Sequence, residues 1–199
     1  MTNKISRLIF FLFVFSTFCG EAKDVKGRQI KKSSVETQLP SDPATTVKRF
    51  FKWYKVHRDQ LRKINVIDGI PGDKTQPYKI NKTNLDKYLT ELKKSNLLSD
   101  IYLYNLRQKY INVGLSLEQS PQFDGPIDEL EYDIIYGIME EEDITNHLND
   151  MEVKSKITHH NKSFVLFKMN NDFKIKAYLT KHNNIWLIDH CQSFYSKRV

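Results

Sequence analysis

The sequence predicts an α+β domain, with helices first and a four-stranded antiparallel meander after them, the helices lying on one face of the sheet. Up to about residue 114, apolar residues recur at helical spacing; after residue 150 the period changes to two. Asn- and Asp-rich breaks separate four alternating runs and supply the tight turns that a meander needs.

The chain opens with Lys4 and Arg7, an apolar run over residues 8–18, and then Cys19, Gly20, Glu21 and Ala22. A basic start, a short apolar core and small residues at the exit make a secretory signal peptide, residues 1–22. Eleven helical residues reach about 17 Å against a hydrocarbon core of roughly 30 Å, so the run is too short to span a membrane. Ala22 and Gly20 suit an ordinary signal peptidase. The alternative is a lipidated N-terminus at Cys19, as in bacterial lipoproteins, although Phe18 stands where a small residue usually precedes the cysteine. Residues 23–42 are polar and charged without period and read as a flexible linker. Residues 43–199 are then one domain, periplasmic or secreted, with a lipid on Cys19 as the one expected membrane attachment.

Asp42-Pro43 opens the first helix, residues 43–63, as N-cap and first helical position. Val47, Phe50, Phe51, Tyr54 and Leu61 recur on one face, giving it an aromatic inner side. Gly69, Pro71, Gly72 and Pro77 make residues 68–77 a loop. A second helix starts at Thr83, its hydroxyl as cap, and buries Leu85, Tyr88, Leu89 and Leu92. A third runs from Ser99 to about Asn112 with Leu103, Leu106 and Tyr110 inward, and Gly114 ends it. Residues 118–143 read as an acidic loop with a short ordered stretch near residues 134–139. Strands follow over 151–158, 163–170, 173–181 and 185–194.

Apolar residues at 40% and aromatics at 12% fit a folded globule, and one surviving cysteine, Cys191, leaves the fold to be held by its core. Cys191 lies in an apolar run and is expected to be buried and inert. The net charge is +7 and unevenly spread: Lys48, Arg49, Lys52, Lys55, Arg58, Arg62 and Lys63 crowd the first helix, while residues 118–143 hold ten acids and no Lys or Arg. Export argues against a nucleic-acid partner, so the basic helix reads as a solvated face answering the acidic loop.

The order of elements resembles the nuclear-transport-factor-2-like, or cystatin-like, superfamily, in which a long helix and two shorter ones lie in the mouth of a strongly curved antiparallel sheet. The segment 173–179, the turn at Asn183-Asn184 and the segment 185–189 resemble its last hairpin. More narrowly, Phe50-Phe-Lys-Trp-Tyr54, Glu131-Tyr-Asp133 and the Trp186 strand resemble the exported bacterial proteins of the domain of unknown function 3828 family. That family includes lipoproteins and implies no activity. Folds of the superfamily often enclose a pocket between first helix and sheet, which Trp53, Tyr54, Tyr178 and Trp186 would line here; an aromatic stripe of this spacing is more often simply a core. Superfamily enzymes of the isomerase or dehydratase kind shuttle a proton with a pocket Asp or His beside a Tyr. The resemblance makes Asp189, His190 and Tyr54 the residues to test.

Other constellations are weaker. Asp124, Asp128, Glu129, Glu131 and Asp133 do not follow the EF-hand pattern for calcium. No two of His57, His147, His159, His160, His182 and His190 have helical ligand spacing, and strand alternation sets His159 against His160 and Asp189 against His190 on opposite faces. Asn81-Lys-Thr83 and Asn161-Lys-Ser163 match the glycosylation pattern but serve equally as turn residues. There is no Gly-rich phosphate loop, nucleophile elbow or CxxC. The expectation is therefore an exported non-catalytic binding protein with no metal or cofactor, its partner an envelope protein, a secreted toxin that it neutralises, or a small apolar ligand. A pocket enzyme is the rival reading.

Overall fold

The computed structural model describes residues 42–127, 130, 133–137, 146–169 and 173–195, all within one unit spanning 38–199. The first helix, α1 (Pro43–Arg62), starts where its cap chemistry directs. The Asp42 carboxylate accepts the Thr45 N–H at 2.8 Å and its hydroxyl at 3.0 Å, and Pro43 occupies the position where a missing N–H costs nothing. The second carboxylate oxygen accepts Lys156 Nζ at 2.9 Å, tying the helix start to the sheet. Val47, Phe50, Phe51, Tyr54 and Leu61 are buried, while Lys52 and Lys55 face outward.

A small ladder follows that the Gly/Pro-rich stretch conceals in the sequence. β1 (Ile67–Asp68) pairs antiparallel with β2 (Lys79–Ile80). Two residues per strand are too few for any period to register. Gly69 holds a φ of +127° beside this ladder, and a Cβ there would meet the Tyr78 ring at 2.7 Å.

The cap of α2 (Lys82–Lys93) is Asn81, not Thr83 as the sequence led us to expect. Its Oδ1 accepts the Asn84 N–H at 2.9 Å, and its Nδ2 donates to the Asp68 carboxylate at 3.0 and 3.1 Å. This asparagine of the glycosylation pattern is thus engaged within the fold. The third helix, α3 (Asp100–Gln119), is capped by Ser99 and runs through Gly114 rather than ending there. A Cβ on Gly114 would meet Ile80 Cγ1 at 3.2 Å, so this glycine marks the close approach of β2 to the helix. Its intrinsic cost inside a helix, about 0.5–1 kcal/mol relative to Ala, is offset by that packing.

Four strands complete the domain in the order of the chain: β3 (Glu152–His159), β4 (Lys162–Lys168), β5 (Phe173–His182) and β6 (Ile185–Tyr195), each antiparallel to the next. Val165 and Phe167 on β4, Met169 just after it, and Phe173, Ile175, Ala177 and Leu179 on β5 are buried on the helix side. Asn183 and Asn184 take φ values of 47° and 67°, the mirror-image turn that matches strand twist. The Asn170-Asn171-Asp172 turn lies outside the described residues. One edge of the sheet is covered: Ile188 N–H donates to Leu97 O at 2.9 Å, and Ser99 N–H donates to Ile188 O at 3.0 Å. The β3 edge carries a bulge between Val153 and Ser155 and the lysines 154 and 156, devices that discourage edge pairing.

Phe50, Phe51 and Tyr54 share one buried core with Trp186 and Ile188. Phe51 is fully buried, so Phe51→Ala should cost about 3–5 kcal/mol in urea unfolding, a large share of a domain's stability. The exposed Lys52→Ala should stay within about 0.5 kcal/mol of the parent.

Candidate functional site

Between α1 and the sheet, aromatic rings pack against one another as in a plain core. Around Phe50, ring centroids of Phe51, Tyr54 and Tyr102 lie 5.7, 6.3 and 6.2 Å away. Tyr136 stacks on Phe51 at 5.8 Å and meets Tyr54 edge-on at 5.0 Å. Tyr54 and Trp186 are therefore core residues. Trp53 sits at the margin, half-buried, with its ring 4.3 Å from His57 and nearly parallel to it.

The polar group of this core is Asp133, from the Glu131-Tyr-Asp133 motif; Glu131 and Tyr132 lie outside the described residues. Its side chain is 3% exposed. Oδ2 accepts the Tyr54 hydroxyl at 2.9 Å, and Oδ1 accepts the N–H groups of Ile135 and Tyr136 at 3.0 and 2.8 Å. Arg62, half exposed, stands 3.7 Å from Oδ2. The carboxylate so fastens the turn 133–137 to α1, and it joins the acidic loop to the basic helix at one defined pair. Burial, followed by the charge of Asp133, pushes the Tyr54 hydroxyl well above the ordinary tyrosine range, which keeps it a donor.

The solvent side of the sheet holds the remaining predicted residues. Between β5 and β6 the register shifts: Tyr178 pairs with His190 and Leu179 with Ile188, leaving Asp189 as the extra residue of a bulge. This corrects the expectation from simple alternation. Asp189 and His190 share the outer face, and Cys191, opposite Ala177, turns to the core. Burial pushes the Cys191 thiol up to about 12, so it is held protonated. Tyr178, expected inside, is 45% exposed on the outer face. His159 and His160 also depart from alternation. His160 enters the turn with a φ of 50°, and the two rings meet edge-on at 4.1 Å.

Cross-strand pairing builds this outer face in rows. Ile157, Phe164, Tyr178 and His190 stand side by side on β3 to β6, with the Phe164 and Tyr178 rings 5.2 Å apart and Tyr178 and His190 6.1 Å apart. On one side of the row, the Thr180 hydroxyl donates to Asp189 and accepts from Lys162 Nζ, itself 3.6 Å from that carboxylate. On the other side come Leu166, Lys176 and Gln192, then Lys168, Lys174 and Phe194. Lys176 Nζ lies 5.6 Å from the Phe194 ring centroid, while Lys168 and Lys174 sit directly opposite each other. Like charges across a ladder repel, so this pairing lowers stability and concentrates positive potential.

The Tyr54 hydroxyl is therefore bonded on the helix side of the sheet, and the Asp189 carboxylate on the other. A cavity of about 320 Å³ does lie between α3, the turn 134–137 and β6; Tyr102, Asn105, Tyr136, Asp189, His190 and Cys191 border it, and Tyr54 does not. Asp124 caps Gly125 and Asp133 is committed to Tyr54; Asp128 and Glu129 of the acidic cluster lie outside the described residues. No group of three metal-ligating side chains occurs among the described residues, and none of their helices is long and apolar enough to cross a membrane.

No protein-family model matches the chain, and no curated protein matches its sequence. Among solved structures, a chain of the type VI native effector–immunity complex Tae3–Tai3 from Ralstonia pickettii is similar over 80% of this chain and 100% of its own, at 12% identity and a TM-score of 0.44. At that identity and score the likeness carries no function over to this chain.

Two outcomes test this geometry. Asp133→Ala leaves the Tyr54 hydroxyl and two N–H groups without their acceptor, and should lower stability in urea unfolding by about 3–5 kcal/mol. For His190, burial and then the Lys176 charge hold the imidazole below its ordinary pKa. Lys176→Ala should move its NMR titration midpoint upward, toward about 6.5. A depressed histidine favours the fold when neutral, so its contribution is present above about pH 6.5 and is lost as pH falls through the lowered value.

Proposed function

We propose that this protein is an exported, non-catalytic binding protein that holds a protein partner against the outer face of its sheet, and that the partner presents an acidic surface. The observation that carries the reading is the row Ile157–Phe164–Tyr178–His190 with its flanking lysines. Ile157 is 62% exposed and Tyr178 45%, on the side of the sheet away from the helices. Rigid aromatic residues held on paired strands supply large contact area at small entropic cost, the usual character of interface anchors. Lys162 is already matched by Asp189 and Lys168 stands opposite Glu152 as well as Lys174, whereas Lys174 and Lys176 supply the excess positive charge. Such a field steers an acidic partner and rejects basic ones.

The N-terminal export signal supports an envelope protein or a secreted toxin as the partner, and the helix-then-meander order supports placing the chain with the nuclear-transport-factor-2-like superfamily. Mass spectrometry of the native N-terminus tests the address. A start at Lys23 or a lipidated Cys19 supports export, and an intact Met1 overturns it.

For the binding face, a partner cross-linked in an envelope fraction should bind Tyr178→Ala at least tenfold more weakly. Lys174→Glu with Lys176→Glu should abolish binding, and Lys52→Ala should leave it unchanged. Binding indifferent to the three face substitutions overturns the reading. So does a turnover activity that requires Asp189 or His190.

A further inference from the structure

A second cavity lies apart from the sheet, between β2, the first residue of α2 and the C-terminal half of α3, and it is unused by the proposed binding face. Its volume is about 460 Å³, within the range of small-molecule sites. Tyr78, Ile80, Ile111, Leu115 and Leu117 give it apolar walls. Gly114 contributes no side chain to that wall, and the close approach of Ile80 fixes the residue there. Leu115 is half exposed although it faces this hollow, so apolar surface is left for a ligand to cover.

The rim charges decide the class of ligand. Lys79 and Lys82 both border the cavity, and neither forms an ion pair among the described residues; Glu118 is the one acid in the lining. We propose that this cavity binds a single-chain amphiphile, an alkyl chain of about ten carbons ending in a carboxylate, with the chain along Ile80, Leu115 and Leu117 and the head group at Lys79 and Lys82. A two-chain lipid exceeds the volume. A neutral apolar ligand would leave both ammonium groups unmatched. A cationic amphiphile would meet two like charges against one acid.

The test uses the purified protein and three probes of equal chain length, decanoate, decan-1-ol and decyltrimethylammonium, measured by calorimetry and by methyl shifts of Leu115 and Leu117. Decanoate should bind at least tenfold more tightly than the cationic probe and more tightly than the alcohol. Lys79→Ala with Lys82→Ala should remove that preference while leaving decanol binding unchanged. Leu115→Glu lies at an exposed position and is compatible with folding, and it should weaken decanoate at least tenfold. Equal binding of the three probes, no binding below millimolar concentration, or methyl shifts confined to the sheet would each overturn the assignment. Because the site shares no residue with the outer sheet face, Tyr178→Ala should leave decanoate binding unchanged, so the two readings fail independently.

Discussion

The helix side of this domain depends on burying one aromatic helix face without stranding the hydroxyl it carries. Phe50 and Phe51 need only apolar surroundings, but Tyr54, 3% exposed, brings a phenol into them. An unpaired buried hydroxyl costs about 1–3 kcal/mol. Asp133 removes that cost and uses its other oxygen on the N–H groups of Ile135 and Tyr136, so one carboxylate serves a side chain and the backbone of a turn together. The turn then delivers Tyr136, fully buried, onto Phe51 and Tyr54. Arg62 adds less. It is half exposed and 3.7 Å away, and solvent screens most of its attraction. The short bonds at 2.8–3.0 Å are what hold the carboxylate in the core.

On the sheet, one residue has a comparable reach. The bulge at Asp189 rephases β6, so Trp186 and Ile188 before it and Cys191 after it all turn to the core. Without it, a strand of strict period two could not bury both halves of that run. The same irregularity sets Asp189 and His190 side by side on the solvent face, where Thr180 and Lys162 fix the carboxylate and Tyr178 and Lys176 set the environment of the imidazole. Stability on one face and a distinctive surface on the other come from a single inserted residue.

The two faces also divide the charge. Several cations of α1 are engaged within the domain: Arg62 reaches Asp133, Arg58 lies 3.6 Å from Asp59, and Lys48 stands over the Phe167 ring at 6.0 Å. The basic helix is thus partly structural. The lysines of the outer sheet face have fewer partners, and two of them oppose each other across the ladder. A charge run conspicuous in the chain is partly consumed inside the fold, while a quieter one, dispersed over two strands, is gathered by pairing.

The sequence by itself determined the α+β class, the start of α1 at Asp42-Pro43, its aromatic face, the buried stripe of α2 and the four-strand meander with its Asn183-Asn184 turn. Each rests on local chemistry: a cap, a period or a turn residue with a positive φ. Tertiary structure decided the rest, and for reasons that local chemistry cannot contain. Gly114 reads as a helix stop until Ile80, 34 positions earlier in the chain, is seen packed against it. Asn81 caps α2 because Asp68 holds its amide from across a two-residue ladder. The importance of Asp133 depends on Tyr54, 79 residues away. The outer face was the least legible, because a bulge has no composition of its own. It exists only as a mismatch between two strands, and the pairing alone turns Tyr178 and His190 outward together.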